Sequence, residues 1–149
     1  MTRRHPPVPF ALRQALPDDV DWMAELRAEV MADDLRRLGR FDPVRVRERF
    51  RAGFDAAHTW VVLVDGTEVG LIAARPADDG TWIEHFYLAR DVQGAGLGGA
   101  VLTEVLGRPD GPRPFRLNVL QGSPARRLYE RHGFVLDHED PVDVFLVRP

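Results

Sequence analysis

Trp82-Ile-Glu-His-Phe-Tyr-Leu-Ala-Arg-Asp-Val-Gln-Gly-Ala-Gly-Leu-Gly-Gly99 is the stretch on which the fold turns. Its first half is apolar and aromatic and reads as a buried strand. Four glycines in six positions, Gly94 to Gly99, come next, and Leu97, Val101 and Val105 then mark one face of a helix. A strand that enters a glycine-rich loop and leaves as a helix is suited to holding an anion. Glycine lets the backbone approach a ligand closely, and the first helical turn offers unpaired N–H groups at the positive end of the helix dipole. The pattern predicts a ligand that carries phosphates.

Upstream, Phe10 to Gln14 reads as a short strand. Pro17-Asp18-Asp19 starts a helix whose apolar positions Val20, Met23, Leu26 and Val30 continue through Leu35 and Leu38 to Gly39. Asp42-Pro43 is an N-cap followed by a first-turn proline, and Val46, Phe50 and Phe54 recur every fourth residue on a second helix. Trp60 to Val64 and Glu68 to Arg75 are strands joined across the hairpin signal Asp65-Gly66, and Pro76 to Gly80 is a further turn into Thr81 to Leu88. Downstream, Gly107 to Pro114 breaks the chain and Phe115 to Leu120 is a strand. Ser123-Pro124 opens a helix that stops at Gly133, and Phe134 to Leu136 and Val142 to Val147 are strands around an acidic loop, Asp137 to Asp140. The order β-α-α-β-β-β-α-β-α-β-β describes a mixed sheet with helices on its faces, an α/β layered domain.

With 149 residues, 44% of them hydrophobic, the chain supports one ordinary core, expected over residues 10–149 after a flexible segment at 1–9. A net charge of −3 gives no basic footprint for nucleic acid. There is no cysteine, which excludes disulfides, thiolate metal sites and an acyl-cysteine intermediate. All basic residues are arginine, so Schiff-base chemistry and a Walker A loop are excluded as well. His5, His58, His132 and His138 lack ligand spacing and no metal is expected. Neither a signal peptide nor an apolar run of spanning length is found, so a cytoplasmic protein without a membrane partner is expected.

Gly94-Ala95-Gly96-Leu97-Gly98-Gly99 also satisfies the dinucleotide fingerprint G-x-G-x-x-G, but the context fails. That fingerprint belongs to a βαβ unit with an acidic residue about 20 positions on. Here the following strand is Phe115 to Leu120, which has no carboxylate, and a hairpin meander precedes the loop. A serine hydrolase around Gly122-Ser123 lacks the second glycine of G-x-S-x-G.

The segment Gln93-Gly94-Ala95-Gly96-Leu97-Gly98 instead resembles the signature of the GNAT superfamily of acyl-CoA-dependent N-acyltransferases: Gln or Arg, two residues, Gly, one residue, Gly or Ala. A second match lies about 30 residues on. The run Ser123-Pro-Ala-Arg-Arg-Leu-Tyr129-Glu-Arg-His-Gly133-Phe134 is similar to the family's capped helix ending in Leu-Tyr-Glu-x-x-Gly-Phe. The resemblance extends from about Phe10 to the end. It implies a central, mixed but mostly antiparallel sheet with splayed fourth and fifth strands and helices on both faces.

It also implies roles. Backbone N–H groups of Gly94, Ala95, Gly96, Leu97, Gly98 and Gly99, with Gln93, would bind the pyrophosphate of coenzyme A. Phe86, Tyr87 and Leu88 would pair with the pantetheine arm as an added strand, and the Leu88 N–H would polarise the thioester carbonyl of acetyl-CoA. Many relatives carry Asn where this chain has Ser123, which still caps its helix and is expected among the residues that contact coenzyme A. Tyr129 occupies the position of the general acid that protonates the departing thiolate, against the plain reading of a packed helix aromatic.

An alkyl ammonium, with a pKa near 10.4, has no lone pair, so the reaction needs a proton acceptor. Strand alternation places Trp82, Glu84, Phe86 and Leu88 on one face and Ile83, His85 and Tyr87 on the other. A carboxylate among apolar neighbours is costly unless used or paired. Relatives often carry a base on this strand. Glu84 is therefore the expected base, His85 the alternative, and an ion pair to an arginine the structural reading of Glu84.

Asn118 is expected to line the cleft between the splayed strands as a coenzyme A contact, or else satisfies backbone at a sheet edge. Arg45, Arg47, Arg49 and Arg51 read as a solvated helix surface, and Asp137, Glu139, Asp140 and Asp143 as an acidic loop that attracts a cationic amine or is merely solvated. The expected activity is acetyl transfer from acetyl-CoA to a primary amine, on a small molecule or a peptide, by direct attack in a ternary complex. A homodimer is compatible with the chain. The alternative is a non-catalytic acyl-CoA-binding sensor or partner module of the same fold.

Overall fold

The structure, a computed structural model, describes residues 9–108 and 111–149. The expectation of a flexible segment at 1–9 therefore falls, Pro9 apart, outside the described residues. Seven strands form one sheet in the order β1-β2-β3-β4-β5-β7-β6. They are β1 Ala11–Gln14, β2 Thr59–Val64, β3 Thr67–Ala77, β4 Gly80–Leu88, β5 Phe115–Leu120, β6 Val135–Glu139 and β7 Asp143–Arg148. All neighbouring pairs are antiparallel except β4 and β5, which run parallel and are joined through a helix, α3 (Leu97–Leu106). Two residues suffice to reverse β2 into β3: Asp65 and Gly66 both have positive φ, 52° and 76°, the conformation that matches the twist of a tight hairpin.

Two helices, α1 (Val20–Arg37) and α2 (Pro43–Gly53), cover one face of the sheet, where Met23, Ala24, Leu26 and Phe50 bury Val61 and Leu71. On the other face α3 and α4 (Ala125–Arg131) place Leu97, Val101, Leu102 and Tyr129 over Val62, Ile72, Leu117 and Val119. This is the layered mixed fold with helices on both faces that the sequence implies. Asp42 caps α2 as its spacing predicts, accepting from the Val44 and Arg45 N–H groups at 3.0 Å each. The acidic segment departs from expectation. Asp137 to Glu139 belong to β6, because pairing with β7 carries the strand to Glu139, opposite Val144.

Asp19 ties β1 to the start of α1. Its carboxylate, only 6% exposed, accepts from both Arg13 terminal nitrogens at 2.9 and 3.1 Å, from the Leu16 N–H at 2.8 Å and from the Trp22 indole at 2.8 Å. The Arg13 hydrogen bond is the main cause that holds this carboxyl well below the usual aspartate range. Asp19→Asn should cost about 2 kcal/mol in urea unfolding at pH 7. A depressed native pKa gives stability that is complete above the unfolded value and lost as pH falls toward the native one. The difference between parent and variant should therefore begin to narrow near pH ~4 and shrink further in acid.

Candidate active site

The site begins where the sheet opens. β4 and β5 are paired at Thr81 with Phe115 and at Trp82 with Arg116, and the ladder goes no further. The Ala89 N–H bonds the Val69 carbonyl at 2.8 Å. Antiparallel alternation then turns the peptide groups of Tyr87 toward Leu71 of β3, and those of Phe86 and Leu88 away from β3 into the open seam. The Leu88 carbonyl does point outward, accepting from Gln93 Nε2 at 2.8 Å. Of the three residues expected to present backbone here, Phe86 and Leu88 are placed to do so, whereas Tyr87 has its peptide groups committed to β3.

At the end of the seam lies the glycine loop. Gly94 and Gly96 both have φ of +83°, which an L-residue adopts only with strain, and a Cβ on either would meet nothing within 4 Å. Backbone conformation, and not crowding, requires glycine at these two positions, and the space over Gly94-Ala95-Gly96 is open. Ala100 is the first residue of α3 whose N–H closes on a carbonyl of the turn before it, Gly96 at 3.1 Å. The amides of Leu97, Gly98 and Gly99 are thus the free N–H groups of a helix start, and the residues present fit a bound pyrophosphate.

Glu84 and His85 occupy the opposite side of the sheet from α3, and here simple alternation fails. Ala73 pairs with His85 and Ala74 with Ile83, so Glu84 is one extra residue, a β-bulge. The bulge shifts the register. Ile83 joins Phe86 and Leu88 in the core under α3, while Glu84 and His85 line one cleft of about 440 Å³ with Arg27, Arg75, Trp82 and Asn118. The expected opposition of Glu84 and His85 across the strand is corrected accordingly. Glu84 Oε1 accepts from Arg75 Nε at 2.7 Å, so the arginine pair foreseen as its structural reading is present.

His85 packs 4.9 Å from the ring of Phe50, with Nδ1 2.9 Å from the Tyr87 hydroxyl. Burial, with the Arg27 charge as a second cause, pulls its pKa down to about 4, and the imidazole is neutral at pH 7. Arg27 donates to the Tyr87 oxygen at 3.2 Å and to the Val46 carbonyl, which fixes the guanidinium between α2 and β4. Sequence reading missed Arg27 and Arg75. Neither sits in a motif, and only packing brings them to Glu84 and His85.

Tyr129 is 6% exposed, its ring edge-on to Phe134 at 5.7 Å. Burial is the main cause that raises its phenol pKa, and the nearby Tyr87 adds to it. Among the described residues its hydroxyl has no hydrogen-bond partner, yet no buried side-chain oxygen is left unsatisfied, so this hydroxyl reaches accessible space. Ser123 Oγ accepts from the Ala125 N–H at 3.3 Å, but the N-cap position of α4 falls on Pro124, one residue later than expected. Asn118 lies on the Glu84 side and donates to Asp143 Oδ1 at 3.0 Å. Among the described residues no cluster of three or more His, Asp or Glu is arranged to hold a metal, and no helix is long and apolar enough to cross a membrane.

The sequence profile of the acetyltransferase (GNAT) domain matches residues 55–136, which include both the glycine loop and the Tyr129 motif. No curated protein sequence gives a significant match. Among solved structures, the chain is similar to an N-acetyltransferase from Staphylococcus aureus Mu50, with 19% identity, a TM-score of 0.70, and 92% of this chain and 99% of that one covered. It is similar also to the PaiA N-acetyltransferase from Thermoplasma acidophilum in complex with coenzyme A, with 16% identity, a TM-score of 0.75, and 94% and 98% covered. An acetyltransferase from Thermus thermophilus gives 18% identity and a TM-score of 0.75, with 96% and 99% covered. At such identities the likeness is one of fold.

Proposed function

This chain belongs to the GNAT acetyltransferase family, and from that premise we propose that it transfers an acetyl group from acetyl-CoA to a primary amine by direct attack in a ternary complex. The observation that carries the reading is the open β4–β5 seam, with the glycine loop at its end and the Glu84–His85 cleft beside it. Acetyl-CoA, when bound, supplies the activated thioester. The loop amides from Gly94 to Gly99 hold its pyrophosphate, and the peptide groups of Phe86 and Leu88 pair with its pantetheine arm. The Leu88 N–H donates to the thioester carbonyl, where negative charge gathers as the amine nitrogen bonds to carbon.

Glu84 takes the proton that the amine must lose, directly or through water, and Tyr129 gives one to sulfur as the carbon–sulfur bond breaks. The products are an amide and free coenzyme A. One observation favours a second acceptor for the amine's proton: His85 is neutral at pH 7 in the same cleft, while the Glu84 carboxylate is engaged by Arg75.

The test is release of free coenzyme A from acetyl-CoA across polyamines, aminoglycosides, amino acids and peptide N-termini, with acetyl-CoA affinity measured beside it. Release above the hydrolysis background with at least one amine is the expected result. Tight acetyl-CoA binding without release for any amine replaces the enzyme by the sensor of the same fold, and absence of binding removes both.

A further inference from the structure

A second cavity, about 740 Å³, lies between the α1–α2 corner and the rim of β5 and β7. Its wall on the helical side carries Arg27, Arg40, Arg45 and Arg49, and the strand side carries Asp140 and Asp143. Arg27 lines this cavity and the Glu84–His85 cleft alike, and Asn118 of that cleft is bonded to Asp143 of this one. The two are neighbouring parts of one groove.

Its charges are unevenly committed. Three arginines of α1 and α2 outside this cavity are paired, Arg37 with Asp34 at 2.6 Å, Arg47 with Glu25 at 2.8 Å and Arg51 with Asp21 at 2.6 Å, while Arg36 lies over the Phe41 ring. Among the described residues, Arg40, Arg45 and Arg49 have neither an ion pair nor a side-chain hydrogen bond. Arg45 and Arg49 stand one helical turn apart, on the cavity side of α2. Arg40 follows the end of α1, where its N–H and that of Gly39 close on the Leu35 and Arg36 carbonyls at 2.7 and 3.0 Å. These backbone bonds fix its place at the rim.

The carboxylates opposite are already occupied. Asp140 Oδ1 accepts from the Val142 and Asp143 N–H groups at 2.8 and 2.7 Å, Asp143 accepts from Asn118, and Asp42, the remaining acid of the lining, caps α2. The lining thus holds four arginines against three carboxylates, and Arg40, Arg45 and Arg49 are left without a direct ion pair. Guanidinium groups without partners recognise oxyanions, which they bind through paired N–H donors.

Resting on the acetyltransferase reading, we infer that the acceptor is an amine that also carries an oxyanion, a carboxylate or a phosphate. Arg45 and Arg49, assisted by Arg40, hold the oxyanion, and the amine reaches past Arg27 to Glu84 and His85. A purely cationic polyamine leaves the guanidinium groups of Arg45 and Arg49 without a partner.

The test compares coenzyme A release with 4-aminobutyrate, 6-aminohexanoate and 6-aminohexyl phosphate against hexylamine and 1,6-diaminohexane. It uses the parent, the double variant Arg45→Gln/Arg49→Gln, and Arg47→Gln as a control on the outer side of α2. The expected result is a kcat/KM for the best oxyanion-bearing amine at least about tenfold above hexylamine, carried by KM. The double variant should bring that ratio close to one, and Arg47→Gln should preserve it. Whichever of the carboxylate and phosphate probes is preferred identifies the group. Turnover of hexylamine or the diamine as fast as the oxyanion-bearing amines overturns this inference alone, as does a ratio unchanged in the double variant. Release with none of the five amines, despite acetyl-CoA binding, overturns the enzyme reading and this inference with it.

Discussion

Tyr129→Phe should lower kcat by about 10² to 10⁴ while leaving acetyl-CoA affinity and melting temperature near those of the parent. The substitution removes one oxygen that has no hydrogen-bond partner among the described residues, and it keeps the ring that packs on Phe134. Little structural cost is therefore expected, and a large loss of rate isolates the proton. Burial raises the phenol pKa above its ordinary value, so the group stays protonated through neutral and mildly alkaline pH and no alkaline loss of activity below pH ~10 should trace to it. The same burial disfavours a free thiolate, which makes proton delivery to sulfur worth more here than in water. A variant within threefold of the parent in kcat would remove Tyr129 from the chemistry and leave it a packing residue.

Glu84→Gln should lower kcat/KM at pH 7 by about 10² or more, equal to roughly 2.7 kcal/mol of barrier. The amide can still accept from Arg75, and Glu84 is about one-third exposed, so folding should be little affected. The pH dependence carries the diagnosis. Without an acceptor, the rate follows the fraction of amine that is already free. That fraction rises about tenfold per pH unit toward the amine pKa near 10.4. The deficit should therefore be largest at neutral pH and shrink as pH rises. If Glu84→Gln keeps the parent profile while His85→Gln loses activity with its melting temperature retained, the acceptor is His85. Its pKa of about 4 then predicts a base that remains available down to mildly acidic pH.

Which parts of this site were legible in the chain follows from how local their causes are. The cap at Asp42, the turn at Asp65-Gly66 and the helix start after Gly96 depend on contacts within about four residues, and each is found where its spacing predicts. The Gln93 and Tyr129 motifs are likewise short, and both fall inside the matched acetyltransferase domain. The faces of β4 were not legible. The extra residue at Glu84 exists only relative to Ala73 and Ala74 of β3, so strand alternation placed Ile83 and Glu84 wrongly. The arginines of α2 do lie at a solvated helix surface as read, but which of them are paired was not legible for a similar reason. Residues 47 and 51 form one pair at helical spacing and 45 and 49 another, but only the position of α1 decides that Glu25 and Asp21 neutralise the first pair and leave the second bare.

By itself, then, the sequence determined the layered fold, the glycine loop and the family to which the chain belongs, because these rest on short-range backbone geometry and contiguous motifs. Tertiary structure alone decided that Glu84 and His85 share one cleft and that, among the described residues, the neighbouring groove keeps arginines without ion pairs. Each of these is set by the register or packing of segments far apart in the chain, and no local pattern encodes the outcome.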